Sequence, residues 1–276
     1  MTEKLDGKVA IISGSGRGIG RAIALKLASE GARIVVNDLD AKPAQEVVDE
    51  IRAAGGSAVA CTGDVTAPDF AERFVGTALE HYEGLDIIVN NAGYTWDNVI
   101  QKMTDEQWYA ILDCHLTAPF RILRAAQPHI RNWAKAEAEV GQRVVRKVVN
   151  VSSVAGLFGN AGQSNYAVAK AGITGLTKTL AKEWGRYSVT VNCVAFGFVK
   201  TRLTESAAEE KTANIAGREI KVGVNPGLLK AMEQMIPLGH GGSPEEAAGS
   251  VYLFCIPESD YVSGQVLMCT GGLTGI

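Results

Sequence analysis

The chain has 276 residues but few of the features that form metal centres or disulfide frameworks. Its five cysteines are odd in number, widely separated and never in a CxxC spacing, which argues against both structures. They are Cys61, Cys114, Cys193, Cys255 and Cys269. The four histidines are equally dispersed and show no metal-ligand spacing. We therefore expect free, buried thiols and no metal cofactor.

Strong charge and long apolar runs are lacking too. The formal net charge of −3 gives no overall attraction for nucleic acid or anionic lipid. No apolar run approaches the roughly 20 residues that span a bilayer. Residues 1–13, "MTEKLDGKVAIIS", contain no cationic segment followed by an apolar stretch, which argues against a secretory signal. With 46% hydrophobic and 21% charged residues, the composition predicts a soluble, cytoplasmic protein without nucleic-acid or membrane partners.

The sequence does contain a regular alternation of short apolar runs and longer amphipathic segments. The runs are rich in Val and Ile at consecutive positions, as in strands that are buried on both faces. They lie at 8–13, 32–38, 57–64, 85–93, 146–153, 188–196 and 265–269. This pattern predicts an α/β fold, a Rossmann-like doubly wound parallel sheet of about seven strands with helices on both faces. The length fits a single domain over residues 1–276.

Two segments interrupt this alternation. Residues 132–147, "NWAKAEAEVGQRVVRK", lengthen the connection into the fifth strand. We favour a surface extension of a helix there, and docking of an acidic partner by Arg143, Arg146 and Lys147 is the alternative. Residues 198–243 separate the sixth strand from the helix that begins at "SPEEAA". Because so long a connection leaves the carboxyl end of a strand, we predict that it is a substrate lid.

A glycine-rich turn, "SGSGRGIG" at 13–20, lies between the first strand and the first helix. Glycines there permit a tight turn and let the backbone approach a pyrophosphate, which then lies at the helix N-terminus. The spacing Gly14-x-x-x-Gly18-x-Gly20 differs from G-x-G-x-x-G, so the turn alone is weak evidence for a dinucleotide. Asp38 strengthens it, because a carboxylate at the end of the second strand can bind an adenosine ribose.

Asp38 and Arg17 make opposite predictions about the cofactor. Asp38 would repel the 2′-phosphate of NADP(H), whereas Arg17, in the turn itself, could pair with that phosphate. We give Asp38 more weight, because a mobile arginine is redirected more easily than a buried repulsion is relieved. The sequence therefore favours NAD(H) over NADP(H).

With the motifs that follow it, this turn resembles the short-chain dehydrogenase/reductase family over essentially the whole chain. The family pattern of Ser or Thr before G-x-x-x-G-x-G matches residues 13–20. The acidic residue that precedes the family's adenine-binding position matches Asp64, which Val65 follows. The N-N-A-G at the end of the fourth strand is present at 90–93.

The catalytic motifs of the family are present in the same order. Its catalytic serine precedes the tyrosine at the spacing found between Ser153 and Tyr166, and its Y-x-x-x-K is completed by Lys170. The surrounding "GNAGQSNYAVAKAG" is most similar to 3-oxoacyl-[acyl-carrier-protein] reductases, with 3-hydroxyacyl-CoA dehydrogenases next. Several motifs in the right order are a strong signal, unlike any one of them alone.

The resemblance implies two sets of site residues. The catalytic set is Ser153, Tyr166, Lys170 and His115. The cofactor-binding set is Gly14, Ser15, Arg17, Gly18, Ile19, Gly20, Asp38, Asp64, Val65, Asn91, Ala92, Gly93, Tyr166, Lys170, Val199 and Thr201.

Three positions depart from the family pattern. His115 replaces an asparagine that supports a proton relay, Phe196 replaces the proline of a P-G motif, and Thr270 replaces the aspartate of D-G-G. His115 is either part of that relay or a satisfied core histidine. The aromatic residues near motif and strand ends either line an apolar substrate pocket or pack in the core. They are Tyr94, Trp96, Phe158, Phe196 and Phe198.

The spacing of Tyr166 and Lys170 places both side chains on one helical face. A free tyrosine has a pKa of about 10, which is too high for an efficient base near neutral pH. A cation ~6 Å away at an effective dielectric of ~20 contributes roughly 2.8 kcal/mol, which predicts a pKa of about 8 for Tyr166. The resemblance implies that Tyr166 exchanges the hydroxyl proton and that Lys170 also binds the nicotinamide ribose. Ser153 holds the substrate oxygen or, alternatively, binds loop backbone.

The predicted function is NAD(P)-dependent interconversion of a ketone and a secondary alcohol, most similar to 3-oxoacyl thioester reduction. An NAD-dependent dehydrogenase of 3-hydroxyacyl-CoA or another hydroxy compound is the first alternative. A non-catalytic dinucleotide-binding scaffold is the second, and the departures at His115, Phe196 and Thr270 are its support. The substrate carrier would be acyl-carrier protein, coenzyme A or neither, and the resemblance implies a homo-oligomer, a tetramer first of all.

Overall fold

A computed structural model describes residues 3–201, 211–215, 217–223 and 226–273. Its centre is a seven-stranded sheet in the order β3-β2-β1-β4-β5-β6-β9, in which every neighbouring pair is parallel. The strands are β1 (Val9–Ile12), β2 (Arg33–Val36), β3 (Ser57–Ala60), β4 (Ile87–Asn90), β5 (Arg146–Ser153), β6 (Val189–Phe196) and β9 (Val266–Cys269). Each lies in one of the seven apolar runs, so the predicted fold class is confirmed.

Helices cover both faces of the sheet because successive side chains of each strand point to opposite sides. In β1, Ala10 and Ile12 pack into one apolar cluster, and Val9 and Ile11 pack into the other. The first cluster includes side chains of α1 (Gly18–Ala28), α2 (Ala41–Ala53) and α9 (Pro244–Tyr252). The second includes side chains of α3 (Phe70–Tyr82), α5 (Ala118–Glu139) and α7 (Ser164–Trp184).

The strand order reverses between β1 and β4, which are neighbours in the sheet. Chain connections leave these two strands in opposite directions, so a crevice forms beyond their carboxyl ends. In folds of this type, that crevice is where ligands bind. The turn after β1 and the N-N-A-G segment after β4 both open into it.

The long helical stretch after Thr104 changes its winding near His115. Thr104 caps α4 (Asp105–Leu112) through a reciprocal capping box with Gln107. A π-helical turn, Asp113–Thr117, then joins α4 to α5 without a break. Such turns insert one extra residue into a helix and occur frequently at functional sites.

The extension at 132–147 continues α5 and then enters β5, which agrees with the favoured interpretation. The alternative, docking of an acidic partner, is wrong for two of its three cations because both are buried and paired. Arg146 donates to both carboxylate oxygens of Glu137 and lies over the ring of Trp133, and Lys147 pairs with Asp260 at 2.6 Å.

The predicted lid, 198–243, contains an antiparallel hairpin of β7 (Lys211–Ile215) and β8 (Arg218–Val222), followed by α8 (Pro226–Met235). Part of this prediction lies outside the described residues, namely 202–210, 216 and 224–225. α6 (Val154–Phe158) completes the set of labelled helices. Among the described residues, no helix is both long and apolar enough to cross a lipid bilayer.

Candidate functional site

A cavity of about 1060 Å³ opens at the carboxyl ends of the strands. All the predicted catalytic residues and every predicted cofactor-binding residue except Ser15 line it. The hairpin and α8 contribute Thr212, Asn214, Ile215, Arg218, Met232 and Met235 to the same cavity. The motifs spread along the sequence therefore meet in one place.

The glycine turn is packed against the segment that follows β4. Gly14 has φ +63°, and a Cβ there would lie 2.7 Å from the Cα of Ala92, so only glycine fits. The amide of Asn91 donates to the carbonyls of Ser13 and Gly14, both at 3.0 Å. These contacts fix the turn at the bottom of the crevice.

The N-terminus of α1 faces the cavity without a side-chain cap. Arg17 is the N-cap residue and provides no capping hydrogen bond, and the first turn of α1 contains no acidic residue. Gly18, Ile19 and Gly20 line the cavity immediately beside it. Uncapped backbone N–H groups and the positive end of the helix favour an anion there, which fits the pyrophosphate of a dinucleotide.

Two serines of the turn have hydrogen bonds that hold the scaffold. The Ser13 hydroxyl accepts from the backbone N–H groups of Asn91 and Ala92, each at 3.1 Å. Ser15 is fully buried, and its hydroxyl donates to the carbonyl of Ile12 at 2.7 Å. Ser15 therefore supports the turn from behind and does not line the cavity.

Asn37 is a site residue that the sequence reasoning missed. Its side-chain oxygen accepts from the N–H of Gly14 at 3.0 Å. Its amide donates to the carbonyls of Cys61 and Gly63, at 3.0 and 3.1 Å. One buried side chain thus joins the ends of β1, β2 and β3, and its position immediately before Asp38 was the available signal.

Arg17 and Asp38, which in the sequence favoured NADP(H) and NAD(H) respectively, form an ion pair. Arg17 Nη1 lies 3.1 Å from Asp38 Oδ1, and Nη2 lies 2.7 Å from Asp40 Oδ2. Asp38 is buried, Arg17 is half-buried and Asp40 is exposed. The guanidinium is therefore shared between two carboxylates at the end of the cavity nearest β2.

Ser153 and Tyr166 approach each other from β5 and α7. Ser153 ends β5 and accepts a hydrogen bond from the N–H of Ala155, which caps α6. The start of α7 is fixed by Asn165, whose amide donates to the carbonyls of Trp96 and Gln107. The Ser153 hydroxyl lies within hydrogen-bonding reach of the Tyr166 phenol.

Lys170 is buried one turn after Tyr166, with Nζ 5.6 Å from the centroid of the tyrosine ring. Its ammonium donates to the carbonyl of Val151 at 2.7 Å. Burial lowers the pKa of Lys170 from 10.5 to about 8. Burial likewise raises the pKa of Tyr166 from 10.0 to about 12, which the hydrogen bond with Ser153 only partly offsets. The prediction of about 8 for Tyr166 is therefore wrong for the protein alone, because it left out desolvation.

His115 lies in the π-helical turn and is buried against the catalytic tyrosine. Its Nε2 is 2.7 Å from the carbonyl oxygen of Tyr94, and its ring meets that of Tyr166 edge-on with centroids 5.0 Å apart. Burial, and then the charge of Lys170, hold the pKa of His115 well below 6.5. The ring is therefore neutral. Its Nε2 also lies 3.2 Å from the backbone N–H of Tyr94, and its buried Nδ1 has no hydrogen-bond partner among the described residues.

Four of the five aromatic residues proposed for a substrate pocket line the cavity: Tyr94, Phe158, Phe196 and Phe198. Trp96 does not, and instead lies against Arg218 with 5.8 Å between the guanidinium carbon and the ring centroid.

The two remaining departures from the family pattern lie near the end of β6. Phe196 also packs in the core, at 5% exposure. Thr270 packs against Gly197, where an added Cβ would lie 3.1 Å from the Thr270 Cα.

Polar side chains line the rim beyond Tyr166. Asn160 donates to Gln163 at 2.9 Å, and Gln163 donates to Asp97 at 2.7 Å. On the hairpin, Arg218 Nε donates to Glu106 of α4 at 2.9 Å, which joins the hairpin to the body of the protein. This end of the cavity can therefore bind polar as well as apolar groups.

Comparisons with known proteins agree with this geometry. A family model described as short chain dehydrogenase matches residues 8–212. The chain is 37% identical to a 3-oxoacyl-[acyl-carrier-protein] reductase of Synechocystis and 36% identical to one of Vibrio cholerae, with 98% of each chain covered in both comparisons.

A similar solved structure is that of an Agrobacterium tumefaciens protein proposed to be a gluconate dehydrogenase. Its TM-score is 0.83 and its identity 30%, and the match covers 99% of this chain and 98% of that one. The chain belongs to the short-chain dehydrogenase family and is an NAD(P)-dependent oxidoreductase that acts on CH–OH groups.

Proposed function

We propose that the protein reduces 3-oxoacyl thioesters to 3-hydroxyacyl thioesters. The observation that carries this proposal is the convergence of Ser153, Tyr166 and Lys170 on a cavity that also contains the glycine turn. It is supported by 35–37% identity, over nearly the full chain, to three 3-oxoacyl-[acyl-carrier-protein] reductases. The segment 198–243 is proposed as the lid over the substrate end of a single 1–276 domain.

In this proposal Tyr166 donates a proton to the substrate carbonyl oxygen while the Ser153 hydroxyl holds that oxygen by a hydrogen bond. A pKa of about 12 keeps the phenol protonated near neutral pH, which suits an acid in the reductive direction. The nicotinamide supplies the hydride when the cofactor is bound. The chain's contribution is to orient the carbonyl and to stabilise the charge that develops on its oxygen.

Lys170 and His115 are proposed as supports of this proton donor. The Lys170 ammonium, fixed on the Val151 carbonyl, places a positive charge beside the phenol and stabilises the phenolate left after donation. His115 contacts the Tyr94 backbone and packs against the Tyr166 ring, and its unpartnered Nδ1 is the atom proposed to take part in a relay. The positive charge of an oxidised nicotinamide acts in the same direction as Lys170.

The cofactor is proposed to be NAD(H) in preference to NADP(H). Asp38 lies at the end of β2 on the cavity wall, and Arg17 is already engaged by two carboxylates. Replacement Asp38→Ala is expected to move the preference towards NADP(H), because it removes the buried repulsion of a 2′-phosphate. Rates with both cofactors measure this, and an unchanged ratio would mean that Asp38 does not decide the choice.

The first experiment is reduction of acetoacetyl-CoA, followed at the reduced-nicotinamide absorbance band with NADH and NADPH in parallel. Tyr166→Phe is expected to abolish turnover while cofactor binding, measured by fluorescence, stays close to that of the wild type. Tyr261→Phe is the matched control, because Tyr261 is fully exposed and does not line the cavity. Equal rates for Tyr166→Phe and the wild type would reject the proposed proton donor.

A second candidate is NAD-dependent oxidation of a hydroxy compound, either a 3-hydroxyacyl-CoA or a polyhydroxy acid. The polar rim of Asn160, Gln163 and Asp97 favours it, since these groups can bind hydroxyls that an acyl chain lacks. The similarity to the Agrobacterium protein is a further support. Oxidation of gluconate with NAD⁺, without turnover of acetoacetyl-CoA, would favour this candidate over thioester reduction.

Association into a homo-oligomer, with a tetramer expected first, is also proposed. Exposed apolar side chains lie on three neighbouring helical elements, and a subunit contact would cover them. They are Tyr109 on α4, Phe120 on α5 and Val168 on α7. Light scattering of the purified protein measures the number of subunits, and a monomer would reject this proposal.

A further inference from the structure

The helix after β2, α2, is preceded by an aspartate that does not cap it. Asp40 is the N-cap residue of α2, where aspartate normally accepts a hydrogen bond from the first helical turn. No such bond forms, and the carboxylate pairs with Arg17 Nη2 at 2.7 Å instead. Its backbone N–H donates to Asp38 Oδ1 at 3.0 Å, which ties the two carboxylates together.

Arg17 is consequently held from two sides. Its Nη1 faces the nearly buried Asp38, and its Nη2 faces the exposed Asp40. A guanidinium is the side chain best suited to pair with a phosphate, through parallel hydrogen bonds from a planar group. Any phosphate that pairs with Arg17 must therefore compete with both carboxylates or displace one of them.

We infer that Asp40 is a specificity-determining residue, which acts through Arg17 to reduce affinity for a 2′-phosphorylated adenosine. This inference rests on the proposed preference for NAD(H) and adds a second acidic residue to Asp38. Asp38 excludes the phosphate by its own buried charge. Asp40 pairs with Arg17, which would otherwise be available to bind the 2′-phosphate.

The size of the effect follows from exposure. Arg17 and Asp40 side chains are 39% and 58% exposed, and solvent-exposed ion pairs contribute little. Release of Arg17 from Asp40 is therefore expected to increase affinity for the 2′-phosphate by roughly two- to fivefold. Salt screens exposed charges, so the increase should be largest at low ionic strength.

The test measures binding of nucleotide fragments by calorimetry, independently of turnover. The probes are 2′,5′-ADP and 5′-AMP, which differ in the 2′-phosphate. In Asp40→Asn, affinity for 2′,5′-ADP should increase by roughly two- to fivefold at low salt, and affinity for 5′-AMP should change less. Asp49→Asn is the matched control, since Asp49 is exposed on the same helix and bonds to Gln45 rather than to Arg17.

Arg17→Ala separates the two ways in which Asp40 could act. If Asp40 acts through Arg17, Asp40→Asn has no effect on 2′,5′-ADP affinity in the Arg17→Ala background. A gain that persists in that background would mean direct repulsion and would overturn the inference. An Asp40→Asn protein that binds both probes like the wild type would also overturn it.

These outcomes are distinct from failure of the proposed cofactor preference. A wild type that turns over faster with NADPH than with NADH would reject that preference. The Asp40 inference would still stand if Asp40→Asn then strengthened 2′,5′-ADP binding further, and only in the presence of Arg17.

Discussion

Replacing Lys170 by methionine is predicted to make the protein more stable while it destroys activity. Lys170 is 3% exposed, and its ammonium has the Val151 carbonyl as its hydrogen-bond acceptor, at 2.7 Å. Among the described residues, the groups that favour its charged form are the thiols of Cys114 and Cys193, and no carboxylate is one of them. A buried charge without an opposite charge is expensive to keep, and methionine has a similar shape without the charge.

The magnitude follows from the pKa. Burial lowers the pKa of Lys170 from 10.5 to about 8. Since a tenfold change in an equilibrium corresponds to about 1.4 kcal/mol, the charged lysine destabilises the fold by about 3 kcal/mol near neutral pH. Loss of its hydrogen bond to Val151 costs about 1 kcal/mol in the variant. We expect Lys170→Met to raise the free energy of unfolding by about 2 kcal/mol near pH 7.

The pH dependence gives this prediction a specific sign. A lysine whose folded-state pKa is lowered destabilises the protein fully below about pH 8, and the effect disappears as the pH rises towards 10.5. Over this interval, the free energy of unfolding of the wild type therefore rises relative to that of the variant. The advantage of Lys170→Met should be largest near neutral pH and should shrink steadily between about pH 8 and 10.

The assay is urea unfolding of the ligand-free wild type and variant at equal protein concentration. Lys178→Met is the control, because Lys178 is an exposed lysine on the same helix, α7. The control is expected to change stability by less than about 0.5 kcal/mol. A Lys170→Met protein less stable than the wild type, or an advantage that does not depend on pH, would refute the argument from desolvation.

Three further predictions concern the site. His115→Asn should retain activity, whereas His115→Ala should lower kcat by about tenfold, because the ring positions Tyr166 and the Tyr94 carbonyl. Steady-state kinetics measure both variants, and full activity in His115→Ala would exclude a relay role. Arg218→Ala should raise KM a few-fold more than it lowers kcat, since Arg218 joins the hairpin to Glu106, and equal kinetics would show that the contact is incidental. Ultraviolet titration without cofactor should show the same phenolate signal for the wild type and Tyr166→Phe up to about pH 9.5, because burial raises the pKa of Tyr166. An extra transition near pH 8 in the wild type would contradict this raised pKa.

Most of the fold could be predicted from patterns of neighbouring residues along the chain. The seven strands could be predicted because residues buried on both faces of a parallel sheet must be apolar at consecutive positions. The site motifs could be placed because the carboxyl ends of parallel strands meet at one edge of the sheet. The family resemblance, rather than topology, implied that Ser153 and Tyr166 act together although β5 and α7 are separate elements.

Burial of individual polar side chains could not be predicted in this way. Arg146 and Lys147 read as surface cations in the sequence, but their strand is central, and Glu137 and Asp260 neutralise them. Ser15 looked like a member of the phosphate-binding turn, but its side chain points back to the Ile12 carbonyl. Each outcome depends on a partner that only the tertiary fold brings into contact.

The acid–base pair shows the same limit in its energetics. The spacing of Tyr166 and Lys170 predicts two charges ~6 Å apart. In the structure, Lys170 Nζ lies 5.6 Å from the centroid of the Tyr166 ring. The attraction calculated from that distance lowers the pKa of Tyr166, but the same burial that brings the groups together removes water from both. Desolvation favours the neutral form of each group, so it raises the pKa of Tyr166 and lowers that of Lys170. Burial therefore makes the charged form of both side chains less favourable. Without a bound cofactor, the phenol of Tyr166 is protonated, and the pKa of Lys170 lies close to neutral pH. An additional positive charge next to Tyr166 would shift this balance towards the phenolate, so proton exchange at this site is expected to depend on what the cavity binds.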